Sequence, residues 1–240
     1  MNVLQTLRDR IQKKGLRTVL KKLCRRYVFF HSQLIWMERD LVSPVRPCKL
    51  KPYPLLRREV ITTSNADAFA THFGDRVETM RELAAEGHTG LMYLDDKGNT
   101  VAFIWGSQRD YFDRHFYGCW FPVKPGEFFE FGGEMIRAYW GSQLSVDVQL
   151  DLWKTMADKG SDKVVDVCDL ENIPAVKLHL RMDYQERGQI THVYCLFGRW
   201  RFFRDTFYSG SLLDPFRKPA QPFATPAGGW CAWPAGFHGS

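Results

Sequence analysis

The stretch that most constrains this 240-residue chain runs from residue 127 to residue 187. It reads as an aromatic-rich strand over residues 127–140, a turn at Gly141 and Ser142, an amphipathic helix over about residues 144–159, and an apolar strand, Lys163-Val-Val-Asp-Val-Cys168. Two strands joined through a helix predict a parallel pair with a right-handed crossover, since parallel strands need a long connection whose hand the strand twist fixes. The turn before the helix leaves backbone N–H groups unpaired at a helix N-terminus, which makes it a ready anion site.

The flanking sequence fits an α/β (α+β) domain. Residues 56–63 read as a first strand. Ser64 or Asn65 is placed to cap a helix over residues 66–73, and Asp75 to cap another over residues 77–86 that Gly87 ends. Residues 89–94 and 100–105 form a hairpin around Asp95-Asp-Lys-Gly98-Asn99. Residues 111–122 give a further strand before Val123-Lys-Pro-Gly126. Pro44 to Pro54 holds four prolines and reads as a linker, which excludes helix and central strand alike. The predicted organisation is a helical extension over residues 1–43, a linker over 44–54, a domain over 55–207, and an irregular Pro/Gly/aromatic tail over 208–240, part of which is expected to dock on the body.

After Cys168 the chain continues Asp169-Leu-Glu-Asn172-Ile-Pro-Ala175-Val-Lys-Leu178-His179, then Asp183-Tyr184, then Ile190-Thr-His-Val-Tyr-Cys-Leu-Phe197. This block resembles the last block of the GNAT superfamily of acyltransferases, Asn-x-x-Ala/Ser-x-x-Leu-Tyr followed by Gly-Phe and a strand. The resemblance covers roughly residues 55–200 and implies a GNAT-like mixed central sheet flanked by helices. It implies N-acyl transfer, in the first place N-acetyl transfer, from acetyl-CoA or another acyl-CoA to an amine on a sugar or amino-acid acceptor, as in polysaccharide or cell-envelope precursor metabolism. The family's phosphate loop, Arg/Gln-x-x-Gly-x-Gly/Ala, is reduced here to Trp140-Gly141-Ser142-Gln143-Leu144-Ser145, so an acyl carrier protein as donor and a non-catalytic binding or scaffolding protein stand beside the CoA reading.

On the resemblance, the donor lies against Ile136, Trp140, Gly141, Ser142, Gln143, Leu144 and Asn172. Asn172 also reads as a plain helix cap with Pro174 in the first turn. His179 stands where the family has a Tyr acting as acid on the leaving thiolate, and an ordinary satisfied His reads equally well. Asp183 replaces a Gly and tolerates a left-handed turn. Glu130 and Glu134 are the candidate bases, with Glu134 preferred as nearer the turn. A spacing of four places both on one face of a regular strand, and the rings around them predict partial desolvation and raised pKa values. Tyr111, Phe112, His115, Tyr117 and Trp120 are a candidate acceptor wall, or core.

The formal charge of +6 is uneven. Residues 1–26 carry nine basic residues against Asp9, 9 − 1 = +8, which leaves 6 − 8 = −2 for the rest. Helical periodicity in that segment (Val3, Leu4, Leu7, Ile11, then Leu16, Val19, Leu20, Leu23) predicts a basic amphipathic helix, either packed on the body or lying on an anionic membrane surface. Basic charge confined to one segment argues against nucleic-acid binding. Tyr27-Val-Phe-Phe30 and Leu34-Ile-Trp36 are too short to span a bilayer, and no secretory signal is read. Six scattered cysteines without Cys-x-x-Cys spacing predict free buried thiols, a reducing cytoplasmic setting and no metal, and the basic extension adds the inner membrane face as an expected location.

Overall fold

The computed structural model describes residues 28–44 and 50–217. Eight strands form one sheet in the order β10-β9-β1-β8-β7-β4-β3-β2. They are β1 (Phe29–Asp40), β2 (Arg57–Val60), β3 (Thr89–Leu94), β4 (Thr100–Ser107), β7 (Glu127–Met135), β8 (Lys163–Asp169), β9 (Gln185–Leu196) and β10 (Trp200–Phe207). Two short strands, β5 (Tyr111–Phe112) and β6 (Trp120–Phe121), pair apart from it. The helices are α1 (Ala70–Phe73), which follows a 3₁₀ turn over Ala66–Phe69, α2 (Val77–Ala85), α3 (Leu144–Asp158) and α4 (Ile173–Arg181).

The sheet separates two cores. One packs Phe128, Val164, Met37 and Ile104 against Leu152, Trp153 and Met156 of α3 and Val176 of α4. The other packs Trp105, Phe129 and Trp36 against Phe69, Phe73, Met80 and Leu83, with Tyr111 and Phe121 of the small hairpin. β4 is buried along its whole length, as its unbroken apolar run requires of a strand covered on both faces.

The helical reading of residues 1–43 fails over Phe29–Asp40. This stretch is a strand, antiparallel to both β8 and β9 and lying between them. Its apolar run Leu34-Ile-Trp-Met37 is at most 4% exposed and faces both cores, which is why neither a helical nor an alternating period describes it. The basic segment 1–26 and most of the tail, including Phe223, Trp230, Trp233 and Phe237, lie outside the described residues, as do Cys24, Cys48 and Cys231. Near residue 213 the chain docks as expected: Leu213 is fully buried and Phe216 packs on the first core. Residues 111–122, expected as one strand, turn back at Asp113, whose carboxylate accepts the N–H groups of His115, Phe116 and Tyr117. Cys119, Cys168 and Cys195 are free and buried.

Candidate active site

β7 and β8 form the expected parallel pair, but only Glu127–Lys163, Phe128–Val164 and Phe129–Val165 face each other. Beyond them the strands part, and the gap opens between the end of β7 and residues 166–169. On β4 the partner of Glu134 is Phe103 and that of Phe131 is Trp105, so three steps on β7 match two on β4. This bulge is centred on Gly132, which has φ +61°. One extra residue inverts the side-chain alternation. Glu130 and Glu134 therefore face opposite sides of the sheet, and the same-face expectation does not hold.

Glu130 is 3% exposed. Its Oε2 accepts the Trp153 indole N–H at 2.7 Å and the Tyr184 hydroxyl at 3.3 Å. Burial, with the Asp166 carboxylate nearby, pushes its pKa up to about 8, against the pull of His179 and the two hydrogen bonds. Burial therefore favours its protonated form, which makes Glu130 a poor proton acceptor where it stands. His179 is buried beside it. Its Nδ1 lies 2.8 Å from the Ala175 carbonyl and its Nε2 2.6 Å from Asp166 Oδ2. A carbonyl and a carboxylate both accept, so both ring nitrogens donate and the ring is an imidazolium. Burial works against that charge, but the Asp166 carboxylate outweighs it and raises the pKa well above the usual histidine value. The satisfied-histidine reading of His179 describes this arrangement.

Glu130, Asp166 and His179 place their ligand atoms within 4.8 Å of one another. As a set they are chemically able to hold a divalent cation, but the His179 imidazolium already balances Asp166. Asp166 was missed in the sequence. Its signal was there, a lone acid in the apolar strand Lys163-Val-Val-Asp-Val-Cys168.

Glu134 is on the other face with its side chain 41% exposed, and its Oε2 lies 3.0 Å from Arg76 Nη1. Between it and the gap stand Gly132 and Gly133, both exposed. Of the candidate wall, Tyr111 is core, stacked on Phe131 at 3.8 Å, and Tyr117, in the turn between β5 and β6, is partly buried against the second core. Burial, with Asp169 and Asp113 nearby, pushes the Tyr117 hydroxyl far up. Phe112 and Trp120 pair at 5.2 Å, and His115 stands by Glu82. Trp120 overhangs a cleft of about 700 Å³ on this face, lined also by Trp36, Glu38, Arg187, Phe203 and Asp205. Inside it the Trp36 indole donates to Thr191 at 2.8 Å, and Thr191 donates to Asp205 at 2.6 Å. Arg187 is fixed between Glu38 at 2.9 Å and Glu127 at 3.0 Å.

After β7 the backbone passes Ile136, makes a 3₁₀ turn over Arg137–Tyr139, and reaches Gly141 with φ +73° before α3. A side chain at Gly141 would meet open space. Trp140 is 66% exposed and its indole donates to the Met135 carbonyl. The next amides turn inward: the Ser142 N–H donates to the Tyr139 carbonyl at 3.1 Å and the Gln143 N–H to the Lys51 carbonyl at 2.8 Å. The chain at Lys51 bridges alongside Ser142, and Tyr53 donates to Asp147 at 2.8 Å. Asp147, in the first turn of α3, also accepts the Gln143 amide. A carboxylate and a crossing segment thus occupy the helix end that a diphosphate would use. Leu144 is fully buried. Asn172 caps α4 through the Ala175 N–H at 3.4 Å, with Pro174 in the first turn, and Asp183 adopts φ +62° as its replacement of a glycine predicts. The parted strands fit a thioester arm, while Asp147 and the segment at Lys51 leave the loop a narrower diphosphate cradle than an open helix end.

No protein-family model matches this sequence, and no curated protein does. Solved structures with a similar chain path include a Drosophila protein, 12% identical over 78% of this chain and 59% of that one, with a TM-score of 0.48. Another is a GCN5-related N-acetyltransferase from Sphaerobacter thermophilus, 12% identical over 75% and 56%, at 0.44. A third is an aminoglycoside N-acetyltransferase in complex with CoA, 13% identical over 54% and 92%, at 0.43. The chain spans under two thirds of the length of the first two. Among the described residues no helix is long and apolar enough to cross a membrane. In chain path this protein is similar to these structures at TM-scores of 0.43 to 0.48.

Proposed function

We infer that this chain is an N-acyltransferase that moves an acyl group from a thioester donor, in the simplest case acetyl-CoA or another acyl-CoA, to an amine. The observation that carries this reading is the parallel pair that separates after three residue pairs, with a strand–turn–helix at its open end. When bound, the thioester would supply an activated carbonyl, its C–S bond breaking as the amide C–N bond forms and the leaving thiolate taking a proton from solvent. The chain's own part is to hold the acceptor amine beside the gap and receive its proton. Proximity and orientation supply much of the rate in such a reaction. Glu134 is the group suited to the proton because it is half exposed on the acceptor face. Glu130 and His179 set the shape and charge of the gap from behind. The cleft under Trp120 offers indole and phenyl faces together with Asp205 and Glu38, which suits an amine-bearing ring such as an amino sugar.

The inward-turned amides of Ser142 and Gln143 favour a second donor, an acyl carrier protein, whose single phosphate and protein surface do not need the loop. Calorimetry and native mass spectrometry of the full chain against acetyl-CoA, longer acyl-CoAs and free CoA test the first reading. Binding that Gly141→Glu abolishes supports it, since that variant puts strain and negative charge into the loop. Transfer from an acylated carrier protein with no response to CoA selects the second donor. No response to either donor leaves a binding or scaffolding protein and sinks acyl transfer.

A further inference from the structure

The sheet ends at β10, and that end carries apolar surface that acyl transfer does not use. At the turn from β9 to β10, Phe197 is 63% exposed and Trp200 57%, with ring centroids 6.0 Å apart. Phe202 follows on β10. β1 enters the sheet beside this turn. Phe29 faces Leu196, the Phe197 N–H donates to the Val28 carbonyl at 2.9 Å, and Val28 and Phe29 are both about half exposed. Five large apolar side chains therefore stand together at one corner, where soluble surfaces seldom gather them without a partner.

The charge around this corner is net positive. Arg199, Arg201 and Arg204 are all exposed, and the one acid between residues 192 and 207 is Asp205, held by Thr191. Residues 192–207 thus carry 3 − 1 = +2 with histidines neutral, and residues 1–26, which lead into Val28, carry +8. The rest of the chain is 6 − 10 = −4. A second copy would bring the same positive charge against this corner, which disfavours pairing between copies. Trp and Phe at a turn with arginines beside them match the headgroup zone of an anionic bilayer, where rings settle and each basic residue adds attraction.

We propose that this corner docks on an anionic lipid surface, with Phe197, Trp200 and Phe202 entering the headgroup layer while Arg199 and Arg204 meet lipid phosphates. Phe203 and Asp205 of the same strand line the large cleft, so docking sets the cleft beside the lipid.

Sedimentation of the full chain with phosphatidylglycerol vesicles, and separately with phosphatidylcholine vesicles, tests this. The wild type is expected to pellet with the anionic vesicles and lose binding as salt rises. The double variant Phe197→Ser, Trp200→Ser is expected to lose about tenfold or more in partition. Arg199→Glu with Arg204→Glu is expected to lose a similar factor at low salt, and Trp200→Phe to retain binding. Unchanged partition in both double variants overturns the proposal. So does partition left intact while the aromatic variant falls from dimer to monomer by light scattering, or loses affinity for a single-stranded oligonucleotide, since either assigns the corner to another partner. Thermal melts of each variant show whether it is folded.

Discussion

On β7, Glu130 is buried among Trp153, Tyr184 and the His179–Asp166 pair, whereas Glu134, four residues on, is half exposed and holds Arg76 at 3.0 Å. The two differ through one extra residue at Gly132, which turns the end of the strand over. Burial then separates their chemistry: one is a neutral acid inside a charge-balanced cluster, the other an accessible carboxylate. Position along a strand says little about a carboxylate's role until the bulge and the burial are known.

The comparison is broken most severely from the buried side. Asp166→Ala removes the counter-charge of His179 and leaves an imidazolium without its partner, a change worth about 3–5 kcal/mol of stability. Urea unfolding measures it, and a loss below about 1 kcal/mol would show that the ring sheds its charge without cost. Asp166→Asn, which still accepts a hydrogen bond, is expected to lose less.

The pH dependence sharpens the same contrast. Glu130 has a folded pKa raised from 4.5 to about 8, so its contribution is fully present below about 4.5 and is lost as pH rises through about 8. His179, raised above 6.5, adds a loss of the same sign: full stability below 6.5, declining as pH passes its folded value. Thermal melts are expected to fall as pH rises from 6 to 9. In Glu130→Gln, whose side-chain oxygen still accepts from Trp153 and Tyr184, the Glu130 part of that fall disappears, so the variant gains on the wild type as pH rises. Parallel curves would mean that the carboxyl is ionised in the fold.

The bulge is tested by Gly132→Val. A β-branched residue at φ +61° is strained, and the cost is expected at about 1–3 kcal/mol. Gly133→Ala, where the nearest neighbour of an added Cβ is Ile104 at 3.6 Å, is expected to cost far less. Equal effects would move the bulge elsewhere.

Much of the fold was legible because period and turn chemistry agree over residues 89–105 and 127–181: the hairpin, the crossover helix, the apolar strand and the Asn172 cap all stand within a few residues of their expected places. β1 was not, since a strand buried on both faces shows no alternation and its partners lie far along the chain. Within the site, Glu130, Glu134 and His179 were identifiable as chemistry-bearing residues, but their roles depended on a bulge that Gly132-Gly133 only hints at, and on Asp166, a single letter in a strand. The crossing of the helix end by Lys51 was out of reach, because a proline-rich stretch carries no signal of what it will cover.

The smallest expected change in stability among the carboxylates of β7 falls on the exposed one, Glu134. Glu134→Gln removes an ion pair to Arg76 at a site open to water, and such pairs contribute about 0–1 kcal/mol, so the melting curve is expected to move little. If Glu134 receives the amine proton, turnover with a working donor falls by about 10²–10⁴-fold, the range that general-base catalysis supplies. Raising the pH should then restore part of the rate, because an amine deprotonated in solution has less need of a base. Arg76→Ala separates the two roles of the carboxylate: it breaks the same ion pair and leaves the base in place. A loss of turnover in the Arg76 variant equal to that in the Glu134 variant would make the pair a positioning device. Full turnover in Glu134→Gln would remove the carboxylate from the mechanism, leaving the amine to arrive already deprotonated.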